Sequence, residues 1–319
     1  MNDRAPLSFN TVKQSHREDR RIRKQKARMT LLSLCIVIIL LLLTLAIFLF
    51  CAIADELNQE TSEPTNPPVI SDSKETTEIR YQNTMVSVGD LLLVNEDHYY
   101  DPASAPDLTL IDGTQGSPKI YTVTYPTWKL NSKTLSSFNA MMQAYYGLSN
   151  DDTIKISSAY RTAQDQEGKS TPVGHSDHHT GYCLALRTTS GEYLKDDHWI
   201  YENGHYYGFI RRYPDEKFDK THVNGYEYCI RYVGIPHATY ISKNDLCLEE
   251  YVELLQTSYA GGNHLLITDD NGNQYEVYYV AKSTGDTTTI TVPCNYAYTV
   301  SGDNVNGFIV TVNLNQPTA

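Results

Sequence analysis

The residues best suited to chemistry lie between Gly174 and Leu186, GHSDHHTGYCLAL, where His175, His178 and His179 stand beside Ser176 and Asp177 before the chain turns apolar. A neutral imidazole is a good zinc ligand, and a strand fixes the direction of the side chains it carries. A histidine cluster running into a short apolar strand therefore suits a metallohydrolase site. His175, His178, His179 and the distant Cys229 are the donors of suitable chemistry. Neighbours on an extended chain point to opposite faces, so His178 and His179 cannot both meet one ion without a local turn. His175 and His179 are read as loop histidines bonded to backbone or solvent.

The elements that must hold these residues can be read from periodicity. Ile154 and Ile156 alternate with polar residues as a strand that leads into Ser157 to Gln166, and Glu227 to Val233 (EYCIRYV) reads as another. An early strand is expected within Val86 to Asn95. From Ser132 to Tyr146, Leu135, Phe138, Met141, Met142 and Tyr145 recur three or four apart, which predicts an amphipathic helix ended by Gly147. Trp199, Ile200, Asn203 and Tyr207 have helical spacing, and Asn244 to Gln256 reads as a capped helix that can bury Leu246, Leu248, Tyr251, Val252 and Leu255. After Tyr259, β-branched and aromatic residues alternate between Asn-Gly and Asp-rich turns, so residues 257–319 are expected to form a small all-β module capping the main domain.

The N-terminal part is of another kind. Residues 29–54 carry no charge and are long enough for a transmembrane helix. Residues 1–28 hold nine Lys/Arg against three acidic residues, a net +6, and read as a basic cytoplasmic tail. Residues 55–82, rich in Ser, Thr, Glu and Pro, are expected to be a disordered stalk. The chain's net −12 leaves −18 beyond residue 28, which argues against nucleic-acid partners and fits an extracellular domain on a single-pass membrane protein. Of six cysteines, Cys183, Cys229, Cys247 and Cys294 lie outside the apolar run; they permit two disulfides in three pairings, or four buried thiols.

Taken in order, LLLVNEDH (Leu91 to His98), SAYRTAQDQ (Ser158 to Gln166), VGHSDHHTG (Val173 to Gly181), WIYENGHYYGFIRRYP (Trp199 to Pro214), GYEYCIRYVG (Gly225 to Gly234) and the following LEEYVE resemble the VanY-type zinc D-alanyl-D-alanine carboxypeptidases. The resemblance spans about residues 83–256 and implies an α+β domain with a central antiparallel sheet flanked by helices, the hedgehog-type peptidase fold. In that family S-x-H-x-x-G-x-A-x-D supplies a His and an Asp ligand, and E-P-W-H supplies the general base and the third ligand. Ser176, His178 and Gly181 match, but Cys183 stands at the small position, Ala185 at the ligand Asp, Cys229 at the ligand His and Tyr226 at the base. Glu227 lies one residue from the base position, a shift that turns a strand side chain to the other face.

The resemblance further implies that Arg161, Gln166 and Ser176 hold the terminal D-Ala of the substrate, an Arg being able to grip a carboxylate through two parallel hydrogen bonds. With the ligand positions altered, no cofactor is expected, and Cys183 and Cys229 are expected to pair as a disulfide in the vacated pocket. The reading adopted is a degenerate carboxypeptidase-like surface protein of a Gram-positive cell wall that binds peptidoglycan stem peptides or a wall-enzyme partner. Its alternatives are an active zinc D,D-carboxypeptidase with rearranged ligands, and a structural scaffold or adhesion ectodomain.

Overall fold

The computed structural model describes residues 75–111, 119–226 and 228–317. The expected cytoplasmic tail, the apolar run 29–54, most of the stalk, and Glu227 lie outside the described residues. Among those described, no helix is long and apolar enough to cross a membrane. Strand β1 (Thr76–Gln82) is followed by β2 (Leu108–Leu110), β3 (Thr122–Val123), β4 (Lys129–Asn131) and helix α1 (Ser132–Ser149). Next come β5 (Ile154–Ser158), the single turn α2 (Ala163–Gln166) and β6 (Cys183–Thr188). Helix α3 (Trp199–Asn203), β7 (Phe209–Arg211), α4 (Phe218–Thr221), β8 (Cys229–Tyr232), α5 (Ile235–Lys243) and α6 (Leu248–Ser258) complete the α+β part. The chain closes with β9 (Leu265–Thr268), β10 (Gln274–Ala281), β11 (Thr287–Pro293), β12 (Tyr296–Gly302) and β13 (Gly307–Pro317).

The central sheet has the order β3-β5-β6-β8-β7. It is antiparallel, as expected, except that β3 runs parallel to β5 at one edge. Because successive strand side chains face opposite ways, the sheet separates a core from a site. Ile154, Ile156, Leu184, Leu186 and Ile230 pack beneath Leu135, Phe138, Met141 and Met142 of α1 in the main hydrophobic cluster. The residues between them on the same strands, Cys183, Ala185 and Cys229, form a second buried group with Tyr213 on the opposite face. Fully burying each large apolar side chain under α1 contributes about 1.5–3 kcal/mol, which anchors the strands carrying that second group.

Several boundaries differ from expectation. Helix α1 continues through Gly147 and ends at Asn150 in the left-handed conformation, so Gly147 lies within the helix instead of ending it. Val86 to Asn95 is not a strand. It begins in a 3-10 turn and continues as a buried extended segment whose backbone groups are taken up singly, Leu93 N–H by Asp303 O and the Asp90 and Leu92 carbonyls by Arg231. Residues 76–82 are not stalk but strand β1, paired antiparallel with β11. Nor is the β module separate. Leu265, Val277, Tyr279 and Ile309 share one apolar cluster with Leu91, Leu93, Tyr251, Val252 and Leu255, because α6 exposes its apolar stripe to that sheet.

Candidate functional site

Gly174 and Gly181 bracket the histidine segment at φ of 85° and 76°. The left-handed backbone favours glycine at both positions, and a Cβ at Gly174 would lie 2.0 Å from the Tyr99 ring and one at Gly181 2.8 Å from Leu108, so a larger residue would also have to displace those side chains. Between them, Asp177–Thr180 forms a 3-10 turn that supplies the local bend the two adjacent histidines needed. His179 is fully buried; its Nδ1–H donates to Arg161 O at 2.8 Å and its Nε2 accepts from Gly174 N–H at 3.1 Å. His175 Nδ1–H donates to Asn95 O at 2.9 Å. Both are thus loop histidines bonded to backbone, as the sequence suggested.

The turn is held by charges that motif reading overlooked. The buried Asp177 carboxylate accepts from Arg212 Nε and from Arg231 Nη1, all three side chains being without solvent exposure. Arg212 also makes a two-pronged contact with Glu249, at 2.7 and 2.9 Å. Although burial opposes its ionisation, the Arg212 guanidinium holds the Glu249 carboxyl below its ordinary range. Two cations and two anions cancel, which makes the buried charge tolerable. Arg212 of RRYP and Arg231 of IRYVG were visible in the matched motifs; only their convergence on Asp177 was not.

Above the turn lies a cleft of about 610 Å³ that brings Arg161, Gln166, Ser176, His178, Tyr226 and Cys229 together. Arg161 is held in place by Ser158 Oγ, which accepts from Nε at 3.0 Å and Nη2 at 2.8 Å, and by Gln166 Oε1, which accepts from Nη1 at 3.0 Å. Gln166 is in turn buried and donates to Thr171 O at 2.7 Å. Of the five guanidinium N–H groups, two remain unclaimed, and no carboxylate among the described residues is bonded to them. Tyr226 and Ser170 hydroxyls meet at 2.8 Å across the cleft mouth.

On the floor, donor atoms of His178, Cys183 and Cys229 all lie within 4.8 Å of one another, and all three residues are buried. Burial, reinforced by Arg161, holds the His178 pKa well below its ordinary value, so the ring is neutral at pH 7. No hydrogen bond of normal geometry reaches its Nδ1, although backbone groups of Ala159 and Cys183 lie against the ring. The Cys183 thiol, hydrogen-bonded to Cys229 and buried, is pushed well above the usual thiol range. The expected Cys183–Cys229 disulfide is not formed; both are free thiols. Register explains why: Cys183 lies opposite Arg231, and Cys229 opposite Ala185, so the two cysteines are diagonal neighbours on one face. Diagonal Cβ atoms on antiparallel strands approach 7 Å, beyond the roughly 3.5–4.5 Å a disulfide spans.

The chain is thus an α+β scaffold with a polar cleft above a buried group of His178, Cys183 and Cys229. Residues 127–235 match the family model for VanY, D-alanyl-D-alanine carboxypeptidase, so the chain carries a VanY-family domain. It is 38% identical over 145 residues to a D-alanyl-D-alanine carboxypeptidase of Enterococcus faecium, covering 44% of this chain and 45% of that protein. It is 38% identical over 101 residues to another of Enterococcus faecalis (strain ATCC 700802 / V583), covering 29% and 37%. The chain thus spans less than half the length of these curated relatives. A crystal structure of the vancomycin-resistance D,D-dipeptidase VanXYg, in complex with a D-Ala-D-Ala phosphinate analogue, aligns with a TM-score of 0.62 and 24% identity over 75% of this chain and 99% of that one. That likeness concerns the fold.

The zinc shell that the family implies does not fit the residues present. Ala185 is buried on β6 and offers no donor, Cys229 replaces an imidazole, and Tyr226 at the base position hydrogen-bonds Ser170. No hydrolytic step is therefore drawn through the family's metal.

Proposed function

We propose that this protein is a membrane-anchored, cell-surface binder of peptides ending in D-alanine, such as peptidoglycan stem peptides, and that it does not cleave them by the family reaction. Arg161 carries the reading. It is fixed in the cleft by Ser158 and Gln166 with two N–H groups to spare and no carboxylate among the described residues bonded to them, a receptor for a peptide's terminal carboxylate. Ser176 lines the same cleft. Hydrolysis lacks both the base and the aspartate ligand, at Tyr226 and Ala185.

Calorimetric titration of the full chain with an acyl-D-Ala-D-Ala peptide tests this. Binding should weaken roughly 10-fold to 100-fold on Arg161→Ala, since hydrogen bonds to charged groups contribute about 1.5–3 kcal/mol, and should weaken similarly when the peptide is C-terminally amidated. Equal affinity for the free acid and the amide would overturn the reading and leave a scaffold or adhesion role. The donor group on the floor favours a second reading, a D,D-carboxypeptidase with rearranged ligands; zinc-dependent release of D-alanine in the same samples would establish it instead.

A further inference from the structure

We infer that His178, Cys183 and Cys229 form a zinc site of one imidazole and two thiolates, built from a different donor set than the family's and recruiting Cys183 from a position that in the family pattern carries no ligand. The inference stands apart from peptide binding. Three observations support it. The donor atoms already lie within 4.8 Å of one another, and around a tetrahedral zinc with bonds of about 2.0–2.3 Å they would be roughly 3.5–3.8 Å apart, a difference that side-chain adjustment covers. His178 is about 95% buried, and its Nδ1 has no partner of normal geometry. Finally, Cys183 and Cys229 share one strand face, so both sulfurs point to the same side.

The chemistry of this set is consistent. Thiolate with imidazole is a soft-to-borderline donor set that suits zinc over magnesium or calcium. Two thiolates balance the dication, so the centre is neutral and can stay buried without a further counter-ion. Entry is available because His178 and Cys229 line the cleft while Cys183 lies beneath it. Zinc would displace thiol protons and tie β6, β8 and the 3-10 turn together. That is the cross-linking job a disulfide cannot do from diagonal positions.

The test is metal content and ligand spectroscopy on the full chain, purified under reducing conditions and loaded with Zn²⁺ or Co²⁺. The expected result is one zinc per chain and thiolate-to-cobalt charge-transfer absorption in the cobalt form. Cys183→Ala places the family pattern's small residue on the strand, so the fold should be kept, and Cys247→Ser keeps a good helix cap at the start of α6. Cys183→Ala should weaken zinc binding by more than the 10-fold to 100-fold that loss of an outer-shell partner costs and remove part of the charge-transfer band. Cys247→Ser should change neither. Absence of bound zinc in the wild type, or binding and spectrum unchanged in Cys183→Ala, overturns the inference.

Discussion

Replacing Asp177 by Asn should be among the most damaging single changes in the molecule, and the damage should fall on a particular partner. Asp177, Arg212 and Arg231 have no solvent exposure, and Glu249 has little. Once the charge is removed, Arg212 keeps its two contacts to Glu249, but Arg231 is left with the neutral carbonyls of Asp90, Leu92 and Tyr232 and the Tyr182 ring. Leaving one buried charge uncompensated costs about 3–5 kcal/mol. For a domain of this size each kcal/mol moves the melting temperature about 2–4 °C, so Asp177→Asn should melt roughly 6–20 °C lower. Adding Arg231→Met removes the stranded charge, and the double variant should be more stable than Asp177→Asn alone. Chemical denaturation of the wild type, both single variants and the double variant closes the cycle. A loss below about 1 kcal/mol for Asp177→Asn, or a double variant less stable than that single one, would refute the reasoning.

Other outcomes follow from the same structure. His237 is buried between Tyr251 and Thr311, and burial lowers its pKa to about 3. The unfolded chain therefore takes up a proton below about pH 6.5 that the folded one refuses, which removes about 2 kcal/mol of stability by pH 5. His237→Gln should flatten that stretch of the pH–stability curve, and an unchanged slope would refute the assignment. Ala185→Asp places a carboxylate opposite Cys229; in metal-free protein it should cost at least about 2 kcal/mol, and added zinc should recover most of the lost melting temperature. Tyr226→Phe removes the bridge to Ser170 at the cleft mouth and should raise the peptide association rate while changing stability by less than about 1 kcal/mol. Iodoacetamide should label Cys183 and Cys229 slowly in folded metal-free protein and rapidly after unfolding, because both thiols are buried and thiolate character controls the rate; mass spectrometry of the labelled peptides reads this directly.

Much of the scaffold was legible because it rests on short-range pattern. The apolar stripe of α1, the alternation around Ile154 and Ile156, and the turn-punctuated β-strands after Tyr259 each declare themselves within a dozen residues. Motif order also gathered Arg161, Gln166, Ser176, His178 and Cys229 into one cleft. What escaped depends on distant pairing. Nothing near Thr76–Gln82 announces a strand, since its partner Thr287–Pro293 lies some two hundred residues away. Asp177 stands between Ser176 and His178 in the motif, and its partners come from far along the chain, Arg212 from just after β7 and Arg231 from β8. The disulfide failed on geometry that one-dimensional counting cannot supply: same face was right, but diagonal register sets the sulfurs side by side instead of bonded.

The pairing of β1 with β11 also has a mechanical side. If the chain is tethered to a membrane ahead of Thr76, any pull on the tether first reaches the antiparallel ladder from Thr76↔Pro293 to Gln82↔Thr287. The load would pass into the C-terminal strands before it could reach the cleft. Because those strands share an apolar cluster with Leu91, Leu93 and α6, and Asp303 O holds Leu93 N–H, the load would then be spread through the core before reaching the segment whose carbonyls Arg231 of β8 grips.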